Sequence, residues 1–221
     1  MAASYLRAAD LPELIPLFPL DGVLLLPRGM LPLNVFEPRY LNMIDDAMAG
    51  ERIIGIIQPR PTGRRSRPDL TAVGCAGRVT SYAETSDGRY LITLTGICRF
   101  RVDSELEAHT PYRQVRPNFA TYEDDLRLDA DDSSPADRTE LLGALKAYLE
   151  GRGLDIDWDQ AREAPVEALV NSLSMALPFE SAEKQALLEA AALADRREAL
   201  VALLRMGAAM GGDEDSAGRM Q

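Results

Sequence analysis

Apolar residues come in short runs along the first half of the chain and at intervals of three and four along the second, which predicts strands followed by helices. Leu14 to Leu20, Val23 to Leu26 and Leu31 to Phe36 are strand-length runs, punctuated by Pro16, Pro19, Asp21-Gly22, Pro27 and Gly29. One helix interrupts them. Pro38 suits a first helical position, Leu41, Ile44 and Met48 recur at helical spacing, and Gly50 supplies the stop. Ile53, Ile54, Ile56 and Ile57 put apolar side chains on both faces of one segment, which predicts an interior strand. Residues 58–69 break the pattern with three prolines, one glycine and four arginines, and read as an exposed loop. Val73, Cys75, Val79 and Tyr82 then lead to a turn at Ser86-Asp87-Gly88, beyond which Tyr90, Ile92 and Leu94 alternate with Leu91, Thr93 and Thr95, the pattern of a hairpin. Cys98, Phe100 and Val102 alternate with Arg99, Arg101 and Asp103, which predicts a strand with one buried and one wet face.

In the second half, Leu141, Leu142, Leu145, Tyr148 and Leu149 form one amphipathic stripe, and Val166, Leu169, Val170, Leu173 and Leu177 a second that starts near Pro165. Residues 182–206 have the pattern of one long helix. Asp195 followed by Glu198 is a variant of the capping box, so a break is expected there. The expected division is a β-rich part over 12–118, an acidic connection over 119–136, a helical bundle over 137–207 and a disordered tail over 208–221.

Charge sharpens this division. Residues 1–118 carry 14 Arg against 13 Asp or Glu, whereas 119–221 carry 10 Lys or Arg against 22 Asp or Glu, for a net charge of −11 overall. An acidic surface repels phosphate backbones and anionic lipid, so nucleic acid and membrane are not favoured partners. Hydrophobic residues make up 46% of the chain, yet no apolar run is long enough to span a bilayer. The first ten residues lack a signal-peptide core, which makes the cytoplasm the expected location.

Candidate chemistry is sparse. There is no phosphate-binding glycine loop and no nucleophile elbow. The single histidine, His109, lies in a segment that reads as an exposed turn. Cys75 and Cys98 sit in strand-like segments and are expected as buried reduced thiols. Asp155, Asp157 and Asp159 alternate as in a calcium loop, but Gln160 stands where that loop needs glycine and Val166 where it needs glutamate, so helix capping is the better reading. Trp158 is expected as a core anchor of the helical part. No cofactor, metal site or catalytic residue is predicted.

The ordered blocks Ile15-Pro16-Leu17-Phe18-Pro19-Leu20, Leu26-Pro27 and Leu31-Pro32-Leu33-Asn34-Val35-Phe36-Glu37-Pro38-Arg39-Tyr40 resemble the opening of the amino-terminal domain of Lon proteases. Val73-Gly74-Cys75, Asp87-Gly88-Arg89-Tyr90, Gly96 with Arg99-Phe100, and Pro111-Tyr112 are similar to that family's later sheet blocks, and 183–200 resembles its helical end. Two departures are an arginine inserted in the turn Pro27-Arg28-Gly29 and an arginine-rich loop without family residues. The resemblance implies an α+β fold: a PUA-like β-barrel, or pseudobarrel, followed by a C-terminal α-helical bundle. It also implies a stand-alone, non-catalytic module for substrate recognition, because the ATPase and serine-lysine protease domains of full-length Lon are missing from these residues.

Within the 36–40 block, Phe36 and Tyr40 are expected to pack inward, while Glu37 and Arg39 hold the strand-to-helix junction by capping or an ion pair. The expected partners are unfolded or partly folded proteins and peptides, with a protease as a further candidate; hand-over of clients to a protease, its regulation and an unrelated pathway all stay open. Candidate binding residues are Met30 and Leu31 after the Pro27-Arg28-Gly29 turn, with Arg60, Arg64, Arg65 and Arg67 of the loop expected near the same barrel rim. Two other classes stay open: an RNA-binding PUA-like module, and an enzyme with a carboxylate site in the acidic half.

Overall fold

The computed structural model describes residues 5–64, 67–107, 109–127 and 134–218, the side chains of 63, 64 and 211–218 excepted. Six strands form one sheet: β1 (Ile15–Pro19), β2 (Met30–Val35), β3 (Ile53–Arg64), β4 (Arg67–Glu84), β5 (Tyr90–Glu105) and β6 (Arg113–Asn118). Their order is β2-β5-β4-β3-β1-β6, and β5 also pairs with β6, so the sheet closes into a ring. The length of β5 makes this possible. On one side it pairs with β4, and on the other it serves β2 through residues 90–95 and β6 through 101–105. β1 joins β3 in parallel, while the other pairings are antiparallel. β2 is left as an edge strand.

The expected hairpin, interior strand and strand-then-helix order are all present. Ile53, Ile54, Ile56 and Ile57 are buried on both faces of β3, which lies between β1 and β4. Phe100 fills the ring centre, where a Cβ on Gly55 or Gly74 would collide with its ring. The run expected as a strand at Val23 to Leu26 is irregular. Leu24, Leu25 and Leu26 are all buried, an arrangement that strand alternation would not permit in a one-sided sheet. They instead plug the ring: a Cβ on Gly77 would strike Leu25, and one on Gly96 would strike the Leu26 carbonyl. Arg28 takes φ +63° and donates its N–H to the Gly96 carbonyl, while Gly96 donates to Gly29, so the plug leaves through a tied turn.

Residues 58–69 are not a free loop. β3 and β4 continue into them as a two-stranded ribbon, with Pro59 opposite Leu70 and Gly63 opposite Pro68, across two register shifts. The prolines, which read as loop punctuation, are accommodated at these irregularities.

Helix α1 (Pro38–Ala49) begins at the expected proline and ends at Gly50. It buries Tyr40, Met43, Ile44 and Ala47, a face shifted by one position from Leu41, Ile44 and Met48. Phe36 does not pack inward; it is 62% exposed, whereas Tyr40 is buried against Phe18 with ring centroids 4.2 Å apart. Glu37 makes no cap and instead forms an ion pair with Arg39 at 2.8 Å.

The helices are α2 (Pro135–Glu150), α3 (Trp158–Glu163), α4 (Val166–Ala176), α5 (Ser181–Glu189) and α6 (Leu193–Gly218). Asp195 does mark a break, but as the third helical residue: its carboxylate accepts from the Ala192 N–H, so α6 starts before it. α6 runs on through residues that read as a disordered tail. Asp157 caps α3 by accepting from the Gln160 N–H at 2.9 Å, and Asp155 accepts from the Trp158 indole. Trp158 is thus held at a helix start and only half-buried, not a core anchor.

The chain clusters into two compact units. The first comprises residues 1–129 and 179–188, and the second 130–178 and 189–221. α5, grouped by sequence with the helices, therefore belongs with the sheet. In the second unit α2 and α4 pack against α6, Leu141, Leu145, Val170, Leu200 and Leu204 are fully buried, and Arg196 donates to the Asn171 side chain.

Candidate functional site

The first unit carries two distinct surfaces. Met30, 67% exposed, starts the edge strand β2 opposite Thr95, with Leu31 half-buried beside it. Arg60 is exposed on the ribbon, and the side chains of Arg64 and Arg65 lie outside the described residues. Arg67 pairs with Glu105 at 2.7 Å. Glu105 stands ten positions beyond Thr95 on β5, roughly 30 Å along the strand at about 3.3 Å per residue. Met30 and the Arg67–Glu105 pair therefore lie at well-separated positions along β5.

The ribbon instead forms a wall of a cleft of about 590 Å³, within the size range of binding pockets. Its buried aromatic lining is Tyr40 and Tyr112. Burial, with the hydrogen bond that Tyr112 donates to Asp46 at 2.6 Å, pushes the Tyr112 hydroxyl up to about 12. Pro19, Pro59, Pro68 and Pro111 add apolar surface with no N–H to desolvate. Arg39, Arg67 and Arg113 supply the charge.

Arg67 and Arg113 are positioned by one shared acid. Glu105 accepts from Arg67 Nη2 at 2.7 Å and from Arg113 Nε at 2.8 Å, and Arg113 also donates to the Pro68 carbonyl at 2.6 Å. β5, β6 and the ribbon are thereby tied together. Hydrogen bonding to Arg113 holds the Glu105 carboxyl below its ordinary range; partial burial opposes this and Arg67 reinforces it. Arg39 lies over the Tyr40 ring at 4.5 Å. The Glu37-Pro38-Arg39-Tyr40 block, read from sequence as a junction, thus also contributes to the cleft. Nothing in the local pattern distinguishes those roles, because the opposite wall comes from segments 20 to 70 residues away.

Sequence reasoning also missed a buried ionic cluster. Arg99, expected on a wet face, has a side chain only 5% exposed and meets Asp125, 9% exposed, at 2.8 Å. Its guanidinium lies 4.3 Å from the Tyr122 ring centroid and donates to the Leu188 carbonyl at 3.0 Å. The acidic connection is therefore partly structural: residues 120–126 form a 3₁₀ segment that buries Tyr122 and Asp125. α5 is held by further polar bonds. Gln58 donates to the Ser181 carbonyl and to Gln185, Gln185 to the Val73 carbonyl, and Lys184 to the Gly22 carbonyl. Burial lowers the pKa of Lys184.

His109 is exposed, and both cysteines are buried free thiols. Burial, then the neighbouring Asp125 charge, raises the pKa of Cys98, which keeps it a thiol. No group of three or more His, Cys, Asp or Glu side chains among the described residues is arranged to hold a metal. Likewise, no helix there is long and apolar enough to cross a membrane.

A ring-closed sheet with a docked helix, together with a helical unit, defines a two-unit protein of the α+β class. The profile of the ATP-dependent protease La (Lon) substrate-binding domain matches residues 14–206, and the chain belongs to that family. Two solved structures have the same fold. The Lon N-terminal domain protein from Xanthomonas campestris superposes with a TM-score of 0.62 at 23% identity, covering 86% of this chain and 97% of that one. The N-terminal domain of the Mycobacterium avium complex Lon protease superposes at 0.59 and 15% identity, with the same coverages. Among curated relatives, the Lon protease of Anaeromyxobacter dehalogenans is 31% identical over 109 residues, 48% of this chain and 13% of that protein. That of Flavobacterium johnsoniae is 27% identical over 139 residues, 62% and 16% respectively. The chain thus spans well under a fifth of the length of these relatives.

Proposed function

We propose that this chain is a non-catalytic module that binds unfolded or partly folded protein segments and passes them to a protease, without ATPase or protease activity of its own. The observation that carries this reading is the family match over 14–206, which takes in both the sheet and the helices. Clients of this kind share apolar sequence that their own cores have not buried, so their receptor needs exposed apolar surface and adaptable contacts. Met30 and Leu31 on the open-edged β2 supply the first, and Arg60, Arg64, Arg65 and Arg67 steer acidic segments. In this reading the sheet part, 12–118, takes the client, while the acidic helical part, 137–207, supports it and keeps the complex soluble in the cytoplasm.

The test replaces Arg64, Arg65 and Arg67 by Ser, and separately Met30 by Asp, and measures binding of a permanently unfolded protein, with circular dichroism as the check on folding. Weaker binding by either folded variant is the expected result; unchanged affinity in both removes these residues from the client surface. Turnover of ATP or cleavage of a peptide by the purified protein, lost on a point mutation, would overturn the non-catalytic reading.

A further inference from the structure

We infer that the cleft between the β3–β4 ribbon, α1 and β6 is a receptor for one kind of client segment: an extended stretch in which an aromatic side chain is flanked by carboxylates. This rests on the binding-module reading above and gives it a site and a chemistry. The chain carries −11 overall, yet the cleft lining has three guanidinium groups and one carboxylate, Glu107. Glu105 serves Arg67 and Arg113 together, and Glu107 adds a weaker attraction for Arg67. Among the described residues Arg39 forms its ion pair with Glu37, and that pair is exposed at 48% and 45%, the setting in which an ion pair is weakly held and a competing carboxylate can take the cation. Arg67 spends a single nitrogen on Glu105 and is 62% exposed, while a guanidinium carries five N–H donors in a planar fork suited to carboxylates.

Shape supplies the rest. The Arg39 wall belongs to α1 and the Arg67 wall to the ribbon, so cationic groups stand on separate elements rather than in a single patch. Between them lie Tyr40 and Tyr112, both buried, and Pro59, Pro68 and Pro111, beside the polar groups of Glu107, Thr110 and Arg113. In an extended segment whose aromatic ring sits on the tyrosines and prolines, the acidic neighbours point away from the ring's face, toward the solvent-exposed guanidinium groups of Arg39 and Arg67. A volume of about 590 Å³ accommodates such a ring with its flanking groups.

The experiment measures fluorescence anisotropy of short labelled peptides with the core Asp-Phe-Asp, Asn-Phe-Asn or Asp-Ser-Asp, together with a permanently unfolded protein and an oligouridylate strand. The full-length chain is titrated as wild type, as the double variant Arg39→Ala/Arg67→Ala, and as Leu106→Glu, which places a carboxylate in the cleft. The expected result is that Asp-Phe-Asp binds about tenfold more tightly than either control, that added salt weakens it, and that both variants lose about that factor, the loss of a charge-assisted hydrogen bond. Circular dichroism verifies that the variants fold, and Leu106→Glu tests the cleft without removing an arginine. Equal binding of all three peptides, or unchanged binding of Asp-Phe-Asp by both folded variants, overturns the inference. If the unfolded protein still binds in that case, the module reading stands and only the site falls; if wild type binds neither the peptides nor the unfolded protein, both fall. Oligouridylate binding that the variants abolish, in place of peptide binding, would also overturn the inference.

Discussion

Replacing Asp125 by Ala should destabilise the first unit by about 3–5 kcal/mol, the cost of breaking a buried ion pair from one side. The carboxylate accepts the Arg99 backbone N–H at 2.9 Å, Arg99 Nε at 2.9 Å and Arg99 Nη2 at 2.8 Å. Both side chains are less than a tenth exposed, so water cannot replace what is removed without opening the fold. The substitution leaves a guanidinium under the 3₁₀ segment of residues 120–126 and a backbone donor without this acceptor, the latter alone worth about 1–3 kcal/mol. Against a total stability of about 5–15 kcal/mol typical of domains, this loss is large. Urea unfolding followed by circular dichroism in the β-sheet region reads it out. A second variant, Arg99→Met with Asp125→Leu, removes both charges and should be less destabilised than Asp125→Ala, because no uncompensated charge remains. A cost for Asp125→Ala below about 1 kcal/mol, the value for an exposed pair, would refute the reasoning. So would a double variant less stable than the single one.

Three further outcomes are expected. Gly96→Ala should cost about 1–3 kcal/mol or more, since its Cβ would press on the Leu26 backbone carbonyl, which cannot swing aside as a side chain can; a urea midpoint equal to wild type would contradict the plug packing. Gly143→Ala, on the open side of α2, meets nothing within 4 Å and should gain about 1 kcal/mol from helix propensity, measurable in the same assay. Glu105 has a folded-state pKa depressed chiefly by its hydrogen bond to Arg113, so its contribution is present above the unfolded value of about 4.3 and is lost as pH falls through the depressed folded value. Thermal melts across that range should show Glu105→Gln less stable than wild type at neutral pH, with the gap closing under acid; a gap independent of pH would show that the carboxylate charge is not what ties the ribbon.

The periodicity of the chain was enough to establish an α+β protein with strands first and helices after. It also located the β4–β5 hairpin, the interior position of β3, the proline start of α1 and the existence of a break before Asp195. These features are local: side-chain alternation, a capping carboxylate and turn residues act within a few positions. The ordered sequence blocks identified the family, because many weak matches in series are specific when each alone is not.

What lay beyond the sequence depends on partners distant along the chain. Leu24 to Leu26 reads as a strand because its apolar residues are consecutive, and only ring closure, with Gly77 and Gly96 opposite, makes it a plug. Arg99 reads as wet from its alternation with Phe100, but Asp125, Tyr122 and Leu188 arrive from 23 to 89 residues downstream and bury it. Met30, opposite Thr95, and Arg67, paired with Glu105, stand ten residues apart along β5, a spacing that strand register sets and local pattern does not. Arg39 and Tyr40 belong to a legible motif, yet their place in a cleft is decided by the ribbon and β6. Local pattern states which residues can be buried or charged; the closure of β5 onto β6 decides which of them meet.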